Sequence, residues 1–359
     1  MSTQTNRSGE TLRCAAVGVG RMGRHHARVY AEMEGVELVG VYDADPERCR
    51  EIAEQHNTRA FATIEEVVAA GVDAASVAVP TTYHRDTARP LLEAGTACLI
   101  EKPLAQSAEE AHAIKEVAER TKSLLMVGHI ERYNPIMRAL RRAQADGLEI
   151  TPRFMEVHRV SPMTFRSVDI GVVMDMMIHD LDVVIMLMGG REPDEVQATG
   201  VAVVTEHEDL CNARLTWRLP EAEGGGSCVA NVTASRLALK TERVTRITGE
   251  NAYIKIDYAK KSGTIIRRTA NEVQMDEVRE QLRAGADLTN LKWDELVNVE
   301  PLEIDSGEPI VLEIEAFLDA VRRGQQPEIN AEAGLANVRT AERVVEQIQA
   351  SLPSTQQVL

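Results

Sequence analysis

Cysteine is scarce in this chain: five among 359 residues, at 14, 49, 98, 211 and 228, with no two in CxxC spacing. A disulfide framework is thereby excluded, and reduced core thiols in a cytoplasmic protein are expected. Positive charge is also short, with 40 Lys and Arg against 56 Asp and Glu, a net charge of -16 and a pI near 5.1. A phosphate backbone or an anionic membrane repels such a surface, and no local basic patch offsets it. Long apolar runs are missing too. The greasiest stretch, 170–188, is interrupted by Asp175, His179, Asp180 and Asp182, so it falls short of the ~18 uncharged residues of a membrane span. The first ten residues hold no apolar signal segment, and there are no internal repeats. A soluble protein with neither nucleic acid nor membrane as partner is expected. What is present is a 44% hydrophobic fraction, enough for two domain cores at this length.

From 12 to about 128, short apolar runs (13–19, 36–42, 74–79, 97–100 and 124–127) alternate with helical patterns. That rhythm predicts a parallel sheet with helices on both faces. Helix starts are marked by Asp45-Pro46, by Thr63 with Glu66, and by Ser107 with Glu110; glycines at 35, 71 and 95 mark helix ends. Gly18-Val19-Gly20-Arg21-Met22-Gly23 follows the first strand, and Asp43 ends the second strand twenty residues after Gly23. In a dinucleotide fold Gly18 permits the tight turn, Gly20 lets backbone N–H groups approach a pyrophosphate, and Gly23 lets helix and strand pack closely. A carboxylate at Asp43 would accept from the adenosine ribose hydroxyls and repel a 2'-phosphate, which favours NAD over NADP, although Arg21 or Arg48 could reach a phosphate. Glu101-Lys102-Pro103 closes a buried strand. Proline cannot extend that strand, so a lysine is fixed at the edge where open parallel sheets bind ligands.

Beyond 128 the pattern changes. An extended stretch 153–160, a helix 172–188, and runs 195–204, 211–219, 228–237 and 244–256 without intervening helices predict a second, α+β domain with a mostly antiparallel sheet. Gly224-Gly225-Gly226 is expected at a hairpin tip, and helices 310–323 and 334–350 close the chain. The expected domains are 11–130, a Rossmann NAD-binding unit, and 131–352, a substrate-binding and oligomerisation unit. Asp175, His179 and Asp182 fall at i, i+4 and i+7 on one face of the apolar helix. Spacing alone leaves open a solvent face, a metal site and a catalytic face with His179 as general base. Arg153, Arg159 and Arg166 lie ahead of that helix, where guanidinium groups suit a diphosphate or are simply surface charge. Arg132, Tyr133 and Asn134 begin the crossing into the second domain, either holding substrate or starting a helix at Pro135.

Taken together, Val17 to Gly23, Val79-Pro80 with His84, Glu101-Lys102-Pro103, and Asp175 with His179 resemble the Gfo/Idh/MocA family of NAD(P)-dependent oxidoreductases over nearly the whole chain. The resemblance implies a catalytic set of Lys102, Asp175 and His179. It also implies cofactor contacts at Gly18, Gly20, Arg21, Met22, Gly23, Asp43, Pro80, Thr81, His84, Glu101 and Lys102. The segments 128–135 and 169–180 look like a subgroup that oxidises the 3-hydroxyl of UDP-N-acetylglucosamine to a 3-keto sugar; Met176-Met177 departs from it. Substrate contacts are then expected at Lys102, Arg132, Tyr133, Asn134, Arg159, Arg166, Asp175 and His179, with no metal. His84 is expected near the nicotinamide or as a helix-start residue, and His25 and His26 facing outward or near a phosphate. Family members commonly form homodimers or homotetramers. Alternatives are a polyol (inositol) dehydrogenase, an NAD-using glycoside hydrolase and a non-catalytic NAD sensor.

Overall fold

The computed structural model describes residues 9–165, 169–270, 272–287, 291, 296–304 and 306–351. The chain divides into two compact units, and neither is continuous in sequence. The first takes the chain up to Asn134 together with Val173–Glu192 and Gly307–Ala350; the second takes Pro135–Val172 and Pro193–Ser306. The expected boundary at 130 thus lies close to the first crossing, but the segments around the 173–192 and 307–350 helices fold with the N-terminal sheet.

In chain order the first unit opens with β1 (Leu12–Val17), α1 (Gly23–Glu32), β2 (Val36–Tyr42), α2 (Pro46–Gln55), β3 (Arg59–Phe61) and α3 (Ile64–Ala69). It continues with β4 (Ala74–Val77), α4 (His84–Glu93), β5 (Ala97–Glu101), α5 (Ala108–Thr121) and β6 (Leu125–Gly128). The six strands run parallel in the order β3-β2-β1-β4-β5-β6. β3 is a three-residue strand that its sequence did not announce, and β4 stops at Val77, two residues earlier than the apolar run. The expected caps form: Asp45 accepts from the Glu47 and Arg48 N–H groups, Thr63 from Glu66 and Ser107 from Glu110. Such caps satisfy N–H groups that a helix start leaves unpaired.

The second unit contains α6 (Pro135–Ala145) and β7 (Pro152–Val160). The chain then returns to the first unit through a π-helical turn (Val173–Met177) that leads into α7 (Ile178–Leu187). Next come β8 (Glu195–Val201), β9 (Leu210–Arg218), β10 (Ser227–Ser235), β11 (Glu242–Gly249), β12 (Ala252–Asp257), β13 (Ser262–Arg268), α8 (Glu272–Arg283) and β14 (Val297–Pro301). These strands form an eight-stranded sheet, β14-β13-β12-β11-β7-β10-β9-β8, antiparallel except where β7 meets β10. Gly224, Gly225 and Gly226, all with positive φ, turn the chain between β9 and β10 as expected. The single run 244–256 proves to be two strands, β11 and β12, paired as a hairpin.

Two helices, α9 (Pro309–Arg323) and α10 (Ala331–Ser351), end the described chain. α9 buries Ile310, Ile314, Phe317 and Leu318, and these side chains join the core of β1, β4 and β5 rather than that of the second sheet. The apolar stripe therefore finds its partner far back in sequence, which is why the first unit is discontinuous.

Candidate active site

The turn after β1 shows which glycines the protein itself demands. A Cβ on Gly18 (φ +81°) would stand 2.6 Å from the Val79 nitrogen, and one on Gly23 would stand 1.6 Å from the Gly18 carbonyl oxygen. Gly20 is different, because a Cβ there meets nothing within 4 Å. Among the described residues no atom crowds position 20, so the backbone there stays open to a ligand at the start of α1. The loop thus fits a dinucleotide pyrophosphate, whose charge the helix N-terminus favours. Arg21 is exposed beside it, and Met22 is partly covered and packs on the first unit's core. Pro80 and Thr81 follow β4, the strand beside β1, so they border the same carboxyl edge.

Asp43 follows β2, almost fully buried, with both carboxylate oxygens engaged. Oδ2 accepts from the Val19 N–H (2.8 Å) and Arg48 Nε (3.1 Å), and Oδ1 from the Asp45 N–H (2.9 Å) and Arg48 Nη2 (2.8 Å). Burial alone would raise this carboxyl, but the Arg48 guanidinium and the two N–H groups hold it below the ordinary carboxylate range. Arg48 is thereby committed to Asp43 rather than presented to a phosphate.

Lys102 follows β5 directly. Its backbone N–H donates to Glu101 Oε2 (3.2 Å), and its amine donates to the Asp175 carbonyl oxygen (3.0 Å). The contact with Asp175 is thus made by the main chain, within the π-helical turn. Such a turn displaces carbonyls from the regular ladder and recurs at functional sites. His179 stands on the first turn of α7, partly exposed, four residues beyond Asp175. Asn337 of α10 steadies this junction by donating to the Ile178 carbonyl (2.9 Å). Lys102, Asp175 and His179 therefore stand in one unit, whereas the last two were expected in the second domain.

Other expected residues stand elsewhere. The π turn breaks the simple i, i+4, i+7 face, and Asp182 is buried, pairing with Arg132 through Nε–Oδ2 (2.8 Å) and Nη2–Oδ1 (2.6 Å). Arg132, expected at the substrate, is spent on this bidentate pair. His129 lies 3.8 Å from the same carboxylate, and burial lowers its basicity while Asp182 opposes that. Tyr133 packs against the first unit's core, and the Asn134 amide donates to Glu131 (3.2 Å) just before α6 begins at Pro135. His84 starts α4 fully buried, with Nδ1 3.0 Å from the Pro103 carbonyl and Nε2 3.0 Å from that of Val79. It is the helix-start residue of the two alternatives and braces the loop after β5. His25 is exposed, but His26 points inward to Ser76 and Glu101, opposite to expectation. In the second unit Arg153 binds the Glu223 and Gly225 carbonyls and the Glu250 carboxylate, so it pins the triple-glycine turn. Arg159 is buried on β7, and Arg166 lies outside the described residues.

A parallel sheet with a glycine cradle and a lysine at its carboxyl edge is now accompanied by direct similarity. Residues 12–129 match the Gfo/Idh/MocA model described as an oxidoreductase family with an NAD-binding Rossmann fold, and 164–354 match that family's C-terminal alpha/beta domain. The chain belongs to the Gfo/Idh/MocA family. This family member is 38% identical over 262 residues to UDP-N-acetylglucosamine 3-dehydrogenase of Acidithiobacillus ferrooxidans, covering 73% of this chain and 79% of the relative. It is 33% identical to inositol 2-dehydrogenase of Rhizobium meliloti over 54% of this chain and 60% of that one. A solved structure of the Acidithiobacillus enzyme superposes with a TM-score of 0.80 at 33% identity, covering 94% of this chain and 98% of that one. The Gfo/Idh/MocA chain is accordingly an NAD-binding oxidoreductase. Its five cysteines are buried free thiols, and among the described residues no helix is long and apolar enough to cross a membrane.

Proposed function

We propose that this protein oxidises a secondary hydroxyl of a sugar, the C3 hydroxyl of UDP-N-acetylglucosamine, giving the 3-keto sugar. The observation that carries the chemistry is the Lys102 amine held on the Asp175 carbonyl at the carboxyl edge of the nucleotide-binding sheet, one turn from His179. Similarity to the Acidithiobacillus dehydrogenase supports the substrate. Bound NAD supplies the hydride acceptor. His179 accepts the hydroxyl proton as general base, and Lys102 hydrogen-bonds the same oxygen and stabilises its growing negative charge. Asp175 places both through the π turn. Assembly as a homodimer or homotetramer in the cytoplasm belongs to the same reading.

One observation favours a second reading. Arg153, one of the three arginines expected at a diphosphate, is committed to protein partners, which favours a free polyol such as an inositol. Incubation with NAD and a panel of UDP-sugars and inositols, followed at the nicotinamide absorbance, separates the two. Reduction with UDP-N-acetylglucosamine is expected, lost by at least about a hundredfold in Lys102→Ala with NAD affinity retained. Turnover of inositols alone would refute the substrate, and turnover by Lys102→Ala would refute the mechanism.

A further inference from the structure

Behind Lys102 runs a buried hydrogen-bonded chain that none of the reaction steps uses. Tyr30 and His26 come from α1, Ser76 from β4 and Glu101 from β5; Tyr30, His26 and Ser76 are 0–1% exposed and Glu101 8%. The Tyr30 hydroxyl lies 2.7 Å from Ser76 Oγ, Ser76 Oγ lies 2.9 Å from His26 Nδ1, and His26 Nε2 lies 3.0 Å from Glu101 Oε1. A carboxylate only accepts, so Nε2–H donates to Glu101. Ser76 links the other ring nitrogen to the Tyr30 hydroxyl. The chain ends on Glu101 Oε2, which takes the Lys102 N–H (3.2 Å).

Two neighbours show that the carboxylate's place is built. A Cβ on Gly128, the residue beside Glu101 on β6, would come within 3.2–3.3 Å of Glu101 atoms, so that strand keeps room for the side chain. Glu313 of α9, 0% exposed, points its carboxyl into the same cluster, within 4.8 Å of ligand atoms of His26 and Glu101, and among the described residues neither of its oxygens is hydrogen-bonded. Two carboxyls so close in a dry interior cannot both ionise. Glu101 has His26 and Lys102 and keeps the charge; Glu313 keeps the proton. Burial and the Glu101 charge both push the Glu313 carboxyl well up, whereas His26 and Lys102 outweigh burial at Glu101.

We propose that Tyr30, Ser76, His26 and Glu101 are positioning residues for Lys102, a buried chain that fixes the lysine against the helix that starts at the dinucleotide loop. The inference rests on Lys102 as the group that steadies the substrate oxygen. Lys102 is held at both ends, its backbone by Glu101 and its amine by Asp175, so slackening the first end moves the amine relative to the reacting oxygen. A misplacement of this kind costs about ten- to a hundredfold in rate.

The test compares Glu101→Gln and Ser76→Ala with wild type, using kcat, KM for NAD, the pH–rate profile, and the ionisation of Lys102 followed by NMR on the 13C-methylated amine. Expected for Glu101→Gln are a kcat lower by about tenfold or more and both the alkaline limb and the Lys102 titration moved to lower pH. Ser76→Ala, which cuts the chain without touching Glu101, is expected to lower kcat several-fold and covers the case in which Glu101→Gln does not fold. Folded variants with wild-type kcat and an unmoved Lys102 titration, while Lys102→Ala is inactive, would overturn the positioning role and leave the proposed reaction standing. A moved Lys102 titration in a protein that reduces NAD with no sugar would support the positioning chain and sink the reaction instead. A stoichiometric divalent metal in the purified protein, lost in Glu313→Gln, would overturn the inference by making the cluster a metal site.

Discussion

Arg132 offers the sharpest discrimination between a residue that binds substrate and one that holds the fold. Its guanidinium meets Asp182 through two hydrogen bonds of 2.8 and 2.6 Å, with side-chain exposures of 6% and 1%. Arg132→Ala leaves the Asp182 carboxylate buried without its counter-charge, which costs about 3–5 kcal/mol. For a folded body of this size each kcal/mol moves the thermal midpoint by about 2–4 °C, so a fall of about 6–20 °C is expected. Asp182→Ala should do the same, because it strands the guanidinium. The double variant Arg132→Met with Asp182→Leu is the decisive arm, since an apolar pair of similar volume is often neutral relative to a buried ion pair. It should unfold within about 2 kcal/mol of wild type, well above either single variant. Urea titrations with circular dichroism give the free energies, and KM for NAD and for UDP-N-acetylglucosamine is measured on the same samples. Arg132→Ala with wild-type stability and a raised sugar-nucleotide KM would refute the structural role and return this guanidinium to the substrate.

The glycine loop makes a paired prediction. Gly20→Ala should fold as wild type but bind NAD at least about tenfold more weakly, a step of roughly 1.4 kcal/mol, whereas Gly23→Ala should fail to fold, since its Cβ would lie 1.6 Å from the Gly18 oxygen. Thermal shift with and without NAD reads both, and tight NAD binding by Gly20→Ala would refute the cradle. Glu313 predicts a pH effect. Its carboxyl is raised in the folded protein above the ordinary value of 4.5, so the native state binds the extra proton and stability falls as pH rises from there towards the folded value. Glu313→Gln should flatten that decline in urea titrations between acid and neutral pH; an unchanged slope would refute the neutral carboxyl. Asp43→Ser should release Arg48 and raise the NADP-to-NAD ratio of kcat/KM by about tenfold, a step of roughly 1.4 kcal/mol. An unmoved ratio would show that this carboxylate does not set cofactor choice.

Local features were legible wherever a residue's role depends on its near neighbours in sequence. Asp45, Thr63 and Ser107 capped the helices they precede, because a cap bond spans only two or three residues. The alternating runs identified the parallel sheet, and the motif residues Lys102, Asp175 and His179 were recognisable as a set. His26, Arg132 and Arg153 were misread because their partners are distant in the chain. His26 falls on the buried side of α1 with Gly23, Ala27 and Tyr30, a register that hinted at an inward imidazole, but its partners are 50 and 75 residues away. Glu313 likewise occupies a core position among the apolar residues of α9. Arg132 met Asp182 across fifty residues, and Arg153 met a turn some seventy residues on.

The sequence by itself determined the class of chemistry. A glycine-rich turn, a strand-end aspartate and a strand-end lysine are set by steric and charge requirements that act over a few residues. Only the tertiary structure decided which polar groups remain available for that chemistry. Burial makes an unpaired charge costly, so Arg132, Arg153, His84 and His26 took protein partners, and Lys102 settled on a carbonyl exposed by a π turn that no spacing rule anticipates.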